Sequence, residues 1–464
     1  MQLLKPFLII LTTIFLGGCT LHEDPRPAQI EMPLLPKEVR VEANWWEMYE
    51  DVTLNTLVEQ ALKYNFNIRQ AAANVSLASA YLASADANRY PSIDGSAGAA
   101  RAHSSKESVI GGGKTNNTFS LSAVLNYEVD LWGKIKNNKD AAAKSLLSSK
   151  ATKDAVHLGL VSSVVDSYFG VISLKAQEVI AKESVSTQEE AYDILKEKYR
   201  LGLITSFDAL LGESAIAKAK TTLSSIQTAL VRQESALHVL LGTSPKELLE
   251  SKDSFTKDKL PNSIEVPQGL SSSLLEQRPD IQAALYALEA ANLDIKTAKA
   301  DYFPSIGLSG LFGFSSTELK DLVGASARNW NIGGSLVAPI FDFGRVEAKV
   351  AQREAAREMA LIGFEQSITQ AFLEVYEAQN VRQSIYESKN NAIEQVDIYG
   401  KLANLATIRY EAGAGEYKSV LDAREDLLEA NLNLIKAKQS ALSADISLIK
   451  SLGGGWDKKD LREK

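Results

Sequence analysis

The chain of 464 residues is poor in the residue types that build disulfides and metal sites. It has one cysteine, Cys19, which excludes an intrachain disulfide and any site that needs several thiolates. Its four histidines are scattered without paired ligand spacing: His22, His103, His157 and His238. No nucleophile with a partner base is recognisable, so we expect no cofactor, no metal site and no enzyme activity.

Basic residues are fewer than acidic ones, and long apolar runs are scarce. The chain has 50 Lys+Arg against 58 Asp+Glu, a formal net charge of -8, which argues against a nucleic-acid partner. Outside the first twenty residues, no uncharged apolar run approaches the roughly 18 residues that a membrane-spanning helix needs. A helical membrane transporter is therefore excluded, but a membrane β-barrel is not, because its strands give a weaker sequence signal.

The first residues have the layout of an export signal. Lys5 precedes an apolar core from Phe7 to Phe15, and Leu16-Gly17-Gly18-Cys19 follows. These small residues resemble the lipobox of bacterial lipoproteins, which implies that Cys19 becomes a lipidated N-terminus. The alternative is an ordinary signal peptide with a chance cysteine. Thr20 stands where an inner-membrane retention signal would have Asp, so the resemblance favours the outer membrane.

Prolines punctuate the rest of the chain. The stretch that follows the signal peptide (1–18) is rich in proline, and we interpret 19–44 as a lipid-anchored extended tether. No proline occurs between Pro91 and Pro245 or after Pro339. Because proline is costly inside helices, very long helices could lie in these gaps. Two stretches within them, from about 134 to 199 and from about 345 to 410, have a helix-forming composition rich in Ala, Lys, Glu, Leu and Ser, and we predict a long helix in each. A helix of about 65 residues spans roughly 100 Å.

The two halves of the chain repeat each other at an offset of 211 to 213 residues. The matching landmarks are Tyr90-Pro91-Ser92-Ile93 with Phe303-Pro304-Ser305-Ile306, Gly133 with Gly344, Tyr199 with Tyr410, and Leu241-Gly242 with Leu452-Gly453. This period indicates a duplicated, domain-sized unit. We assign 45–242 to the first repeat, 243–277 to a connector, 278–453 to the second repeat and 454–464 to a charged tail.

Each repeat contains segments that alternate between apolar and polar residues. We predict strands near 92–104, 117–130, 305–315 and 330–342. In the second strand Leu125 lies on the apolar face and Ser122 on the polar face. Soluble hairpins resting on helices are the alternative, but two matching hairpins in an exported chain favour a membrane barrel. Four strands cannot close a barrel, whereas three copies would supply twelve and leave room for a channel.

Several stretches resemble the TolC-type outer membrane efflux proteins, in the lipoprotein branch that serves RND (resistance-nodulation-division) pumps. They are Trp45-Trp46, Leu54-Asn55, Leu57-Val58, Ala61-Leu62, Asn65, Arg278-Pro279-Asp280-Ile281, Ala290-Ala291-Asn292 and Ala300 through Ile306. The resemblance implies a mainly α protein with a membrane β-barrel, in which long helical hairpins form a periplasmic tunnel and four strands per chain complete a trimeric, 12-stranded barrel. It also implies passive conduction of small molecules, a homotrimer, a periplasmic adaptor, an inner-membrane RND pump and contact with outer membrane lipid.

The same resemblance implies where a gate would lie. Gly202 and Gly413 each follow a long helical run and predict the tip of a helical hairpin. Asp422 matches the family's pore-facing aspartate, and Asp208 and Tyr410 match positions that link neighbouring hairpins in the closed state. Ordinary solvated helix charge is the alternative for both aspartates. The chain departs from the best-known members at two positions, Gly415 and Ser419.

Two other functions remain open at this stage. A type I protein secretion duct would have the same fold, and a structural coiled-coil lipoprotein would have the same helices. Alternating strands argue against the second, whereas the lipobox and Trp45-Trp46 favour the efflux branch by resemblance alone. The cargo is not readable: drugs, detergents and metal ions all fit.

Overall fold

The computed structural model describes residues 44–107, 113–244, 246, 259–263 and 278–454. The predicted signal peptide, almost all of the tether, most of the connector and the tail beyond residue 454 lie outside the described residues. The main elements, in chain order, are α1 (Val52–Tyr64), α2 (Phe66–Ala87), β1 (Ser92–His103), β2 (Thr115–Val129), α3 (Lys134–Arg200), α4 (Ser206–Leu240), α5 (Pro279–Lys299), β3 (Ser305–Ser316), β4 (Arg328–Val337), α6 (Arg345–Glu411) and α7 (Tyr417–Ser451).

Two helices of equal length dominate the molecule. α3 and α6 have 67 residues each, about 100 Å at 1.5 Å per residue. α3 packs along α4, α2 and α5, and α6 packs along α7 and α5. Each long helix therefore forms a hairpin with the 35-residue helix that follows it. The predicted ranges, 134–199 and 345–410, are confirmed to within one residue at each end.

The duplication is also visible in how the two long helices begin. The Asp130 carboxylate accepts the backbone N–H groups of Ile135 and Lys136, at 3.0 and 2.8 Å. In the second repeat the Asp342 carboxylate accepts those of Gly344 and Val346, at 3.1 and 2.9 Å. A carboxylate at a helix N-terminus satisfies free N–H donors and complements the helix dipole.

A matching pair of contacts joins the ends of the two return helices to the helices beside them. The Asn65 side chain donates to the carbonyl of Leu240 at 2.8 Å. Arg278 Nη1 donates to the carbonyl of Ser451 at 2.8 Å, and its Nη2 pairs with Glu374 on α6 at 2.7 Å. The Arg-Pro-Asp-Ile stretch therefore clamps three helices together.

The best-packed part of the core lies where the short segment Trp45–Tyr49, which precedes α1, contacts α3. Trp45 is 1% exposed, and the Tyr49 ring packs edge-on against Phe169 with centroids 4.8 Å apart. Asp51 caps α1 and accepts the Tyr168 hydroxyl at 3.1 Å. Among the described helices, α3 alone has a window apolar enough to cross a membrane. Most of that window is buried against protein, as expected of a core helix.

The four strands form one antiparallel sheet in the order β1-β2-β3-β4. Its register places Leu125 opposite Ile93 on one face, and Ser122 opposite Ser96 on the other, where the two hydroxyls are 2.8 Å apart. The predicted alternation is confirmed. The prediction of a strand to 342 was wrong: β4 ends at Val337, because Pro339 lacks the N–H that a sheet ladder needs.

Candidate functional site at the hairpin tips

The turns at the two hairpin tips have the same backbone geometry. Gly202 and Gly413 have φ of +73° and +71°, in the left-handed region that favours glycine. Each tip closes with the paired hydrogen bonds of a Schellman motif. The pairs are Gly202 N to Tyr199 O (2.9 Å), Leu203 N to Lys198 O (2.9 Å), Gly413 N to Tyr410 O (3.0 Å) and Ala414 N to Arg409 O (2.8 Å).

The first tip is fixed by a capping box at the start of α4. The Thr205 backbone N–H and hydroxyl both donate to Asp208 Oδ2, at 3.1 and 2.7 Å. In return the Asp208 N–H donates to Thr205 Oγ1 at 3.4 Å. Asp208, singled out from the sequence as a link between hairpins, here satisfies donors of its own helix.

The second tip has no such cap. α7 begins after Glu416, whose side chain makes no capping hydrogen bond. Its first residue, Tyr417, is instead held by packing, because the ring is buried against the Tyr410 ring with centroids 5.2 Å apart. The start of α7 is therefore held by packing against the end of α6 within the second hairpin, whereas the start of α4 is held by its own capping box.

Asp422 lies one turn further along α7, on an exposed face. Its Oδ2 accepts Lys418 Nζ at 2.6 Å, and more than half of each side chain is exposed. The Asp422 carboxylate raises the pKa of Lys418, first through this hydrogen bond and then through its charge. A pore lined by Asp422 would therefore also present the neighbouring ammonium.

Tyr410 connects the two hairpins within one chain. Lys198 Nζ, at the end of α3, donates to the Tyr410 hydroxyl at 3.3 Å and lies 4.9 Å from the centre of its ring. Next to this contact, a cluster of apolar side chains, here called the tip cluster, joins both hairpins. It consists of Leu195, Tyr417, Val420 and Leu421, with Ile204, Leu211, Ala215, Ala406 and Tyr410 packed against it.

A second polar contact joins the return helices. Lys218 on α4 forms an ion pair with Glu425 on α7. The tip cluster, the Lys198–Tyr410 hydrogen bond and this ion pair together hold the second hairpin against the first. Separating the hairpins requires all three to break.

Sequence reasoning had missed Thr205, Lys198, Lys418 and the Lys218–Glu425 pair. Two of these had a local signal. Thr205-Ser206-Phe207-Asp208 has the spacing of a capping box, and Lys418 precedes Asp422 by one helical turn. Lys198 and Tyr410 are 212 residues apart, so their contact had no local signal.

Comparison with known proteins agrees with this architecture. The family model for outer membrane efflux proteins matches residues 57–243 and 270–454, once in each repeat. The cation efflux system protein CusC of Escherichia coli K12 is 32% identical over 472 residues, covering 97% of this chain and 99% of the relative. The probable outer membrane lipoprotein SilC of Salmonella typhimurium is 30% identical over 464 residues, with 97% and 98% covered.

Among solved structures, the CmeC outer membrane channel of Campylobacter jejuni superposes with a TM-score of 0.87. It is 26% identical, and 97% of this chain and 92% of that one are covered. Likeness of sequence and of fold thus extends over both hairpins and the strand sheet. The chain belongs to the outer membrane efflux protein family, and it is an outer membrane efflux channel with a long helical periplasmic part.

Proposed function

We propose that three copies of the chain form the passive exit duct of a tripartite pump, together with a periplasmic adaptor and an inner-membrane RND pump. The sheet carries this proposal. It is apolar on one face and polar on the other, and among the described strands β1 and β4 each have one partner only. Open edges of a membrane-spanning sheet must pair with further strands, because lipid offers no hydrogen bonds.

The size of the sheet supports three copies. Three sheets of four strands give twelve, an even number within the range of bacterial outer membrane barrels. The lumen would be lined by small polar residues, with serine predominating: Ser96, Ser120, Ser122, Asn126, Ser309 and Ser335. Such a surface offers weak contacts to many solutes, which suits passive conduction.

Cross-linking of the purified protein tests the subunit number. The protein is kept in detergent and the concentration of the cross-linking reagent is raised step by step. We expect the largest cross-linked species to contain three subunits. A ladder that ends at one or two would contradict the proposed barrel.

We further propose that the hairpin tips gate the duct. In this proposal three copies of Asp422 form a carboxylate ring, which favours cations. Lys418 reduces the charge of that ring. Tyr410 holds the second hairpin to the first, and Asp208 keeps the first hairpin rigid through the capping box. The uncapped second hairpin is then the part that moves.

Lipidation of Cys19 is a separate proposal, since this residue lies outside the described part of the chain. Labelling with radioactive palmitate should modify the wild type and not the Cys19→Ser variant, while trimer formation persists in both. Absence of label from the wild type would contradict the proposal.

The names of the relatives point to different cargoes. One relative is called a cation efflux protein and another, from Pseudomonas putida, a toluene efflux pump protein. We therefore propose that the inner-membrane pump selects the cargo. Co-purification of the channel with an RND pump rather than with a secretion ATPase tests the proposed partner.

A further inference from the structure

The apolar face of the sheet carries charge at one end only. The register places Arg101 opposite Asn117, His103 opposite Thr115 and Arg328 opposite Phe314. His103 Nδ1 and Thr115 Oγ1 are 3.0 Å apart, so both side chains lie on this face. These residues adjoin the β1–β2 and β3–β4 loops, at the end of the sheet remote from the helices. For a channel whose helices are periplasmic, this is the outward end.

The acidic side chains of the strands lie on the opposite face. Asp94 is opposite Val124 and Glu128 is opposite Gly307, both on the polar face with Ser122 and Asn126. Every ionisable group that the strands place on the apolar face outward of Tyr127 is thus basic. Arg101 and Arg328 are exposed, and neither forms an ion pair with a described residue.

The height of the apolar band puts Arg101 and His103 at the level of lipid headgroups. On β2 the band runs from Val129 to Phe119. Ten residue steps are about 33 Å along a strand, or about 23 to 27 Å of height at a tilt of 35–45°. That is close to the apolar band of about 25 Å in outer membrane barrels. Arg101, opposite Asn117, lies just beyond the band. Arg328 lies in the row of Leu121, at the outward end of the band, from where its long side chain can extend to the headgroups.

We propose that Arg101, His103 and Arg328 form a basic collar that binds the phosphate groups of lipopolysaccharide in the outer leaflet. Guanidinium groups bind phosphate in a bidentate manner, and the two phosphates of lipid A carry negative charge that no ammonium group balances. A zwitterionic phospholipid lacks this excess. The collar is independent of the gate at the tips.

The two arginines lie on the two edge strands, β1 and β4. In the proposed trimer these edges meet at three seams, so each seam would carry one copy of each arginine on its outer face. This step rests on the proposed assembly. A lipid bound there would cover the seam from outside and hold adjacent copies together.

Native mass spectrometry of the purified protein tests the collar. Detergent-solubilised protein is incubated with diphosphorylated lipid A or with phosphatidylethanolamine, and the retained lipids are counted. We expect the wild type to retain lipid A preferentially and Arg101→Gln/Arg328→Gln to retain about fivefold less, because charge-assisted phosphate contacts are lost. Arg101→Lys/Arg328→Lys should recover most of the binding.

The matched control removes the same charge elsewhere. Arg69→Gln/Arg232→Gln changes two exposed arginines of the helices and should leave lipid A binding unchanged. Equal retention of lipid A by the collar and control variants would overturn the collar, as would equal retention of both lipids by the wild type. The same spectra report the subunit number. Failure of the trimer in the wild type is therefore distinguishable from failure of the collar.

Discussion

Asp445 on α7 is the most deeply buried carboxylate among the described residues, with 0% exposure. Its Oδ1 accepts Arg382 Nε at 2.7 Å, and its Oδ2 accepts the Tyr386 hydroxyl at 2.8 Å. The Arg382 guanidinium lies 4.6 Å from the Tyr386 ring. This buried cluster ties α6 to α7 far from the tips, so it stabilises the second hairpin at a fixed point.

Removing the carboxylate should destabilise that hairpin strongly. Asp445→Ala leaves the largely buried Arg382 without its counterion, which costs about 3 to 5 kcal/mol in comparable sites. Asp445→Asn keeps an acceptor oxygen and should cost less. Thermal unfolding followed by circular dichroism measures both. Asp397→Ala, which breaks the exposed pair with Lys401, is the control and should melt like wild type. Equal melting of Asp445→Ala and this control would contradict the assignment.

The same carboxylate predicts a pH dependence. Burial raises the pKa of Asp445 despite Arg382, so the folded state binds this proton more tightly than the unfolded state does. Between the unfolded pKa, about 4, and the raised folded pKa, stability from this group should fall as pH rises. Wild type should therefore lose melting temperature relative to Asp445→Asn across this window. A constant difference would argue against the shift.

At the tips, Lys418 and Asp422 should have opposite effects on ion preference. If the pair faces the lumen, Asp422→Ala removes the carboxylates and should weaken cation preference and divalent block. Lys418→Gln removes the neutralising ammonium and should strengthen both. Reversal potentials in planar bilayers measure the cation preference of each variant. Glu429→Gln, another exposed acidic position on α7, is the control. Identical reversal potentials for all variants would make Asp422 a surface charge.

The two faces of the strands predict where a new charge is tolerated. Leu125→Arg places a cation on the apolar face opposite Ile93, at a cost of about 2 to 4 kcal/mol per chain near the bilayer midplane. Ser122→Arg points into the polar face, where Gly313 has no side chain to collide with it. The yield of membrane-inserted trimer should fall for the first variant and hold for the second. Equal yields would mean that the faces are assigned wrongly.

Features of these elements that depend on residues close together in the sequence could be predicted, whereas features that depend on distant residues could not. Proline gaps together with helix-forming composition predicted α3 and α6, and alternation predicted β2, because these signals are local. The alternation rule failed at the end of β4. It placed Ile340 within the strand, but the strand ends at Val337 because Pro339 cannot donate a hydrogen bond to the sheet. The tip site was only partly readable. Gly202 and Gly413 are local signals, whereas the Lys198–Tyr410 contact depends on how two hairpins pack.

At the scale of the whole molecule, the single chain leaves much of its apolar surface uncovered. On α6 alone, Met359, Ile362, Leu402 and Leu405 are about half exposed or more. The strands likewise expose Trp330 and Ile332. Lipid can cover the strands, but aqueous periplasm cannot cover α6. Burial of these side chains therefore requires neighbouring copies along the helices as well as at the sheet edges.

Conductance of the purified wild-type protein in a planar bilayer tests this account most directly. A continuous duct of three copies predicts discrete, uniform current steps that prefer cations, carried by a species that cross-links as a trimer. Tyr410→Phe, which removes the hydrogen bond with Lys198, should lengthen the open periods without changing the size of the largest steps. A correctly inserted trimer that carries no current, in wild type and in Tyr410→Phe alike, would contradict the account.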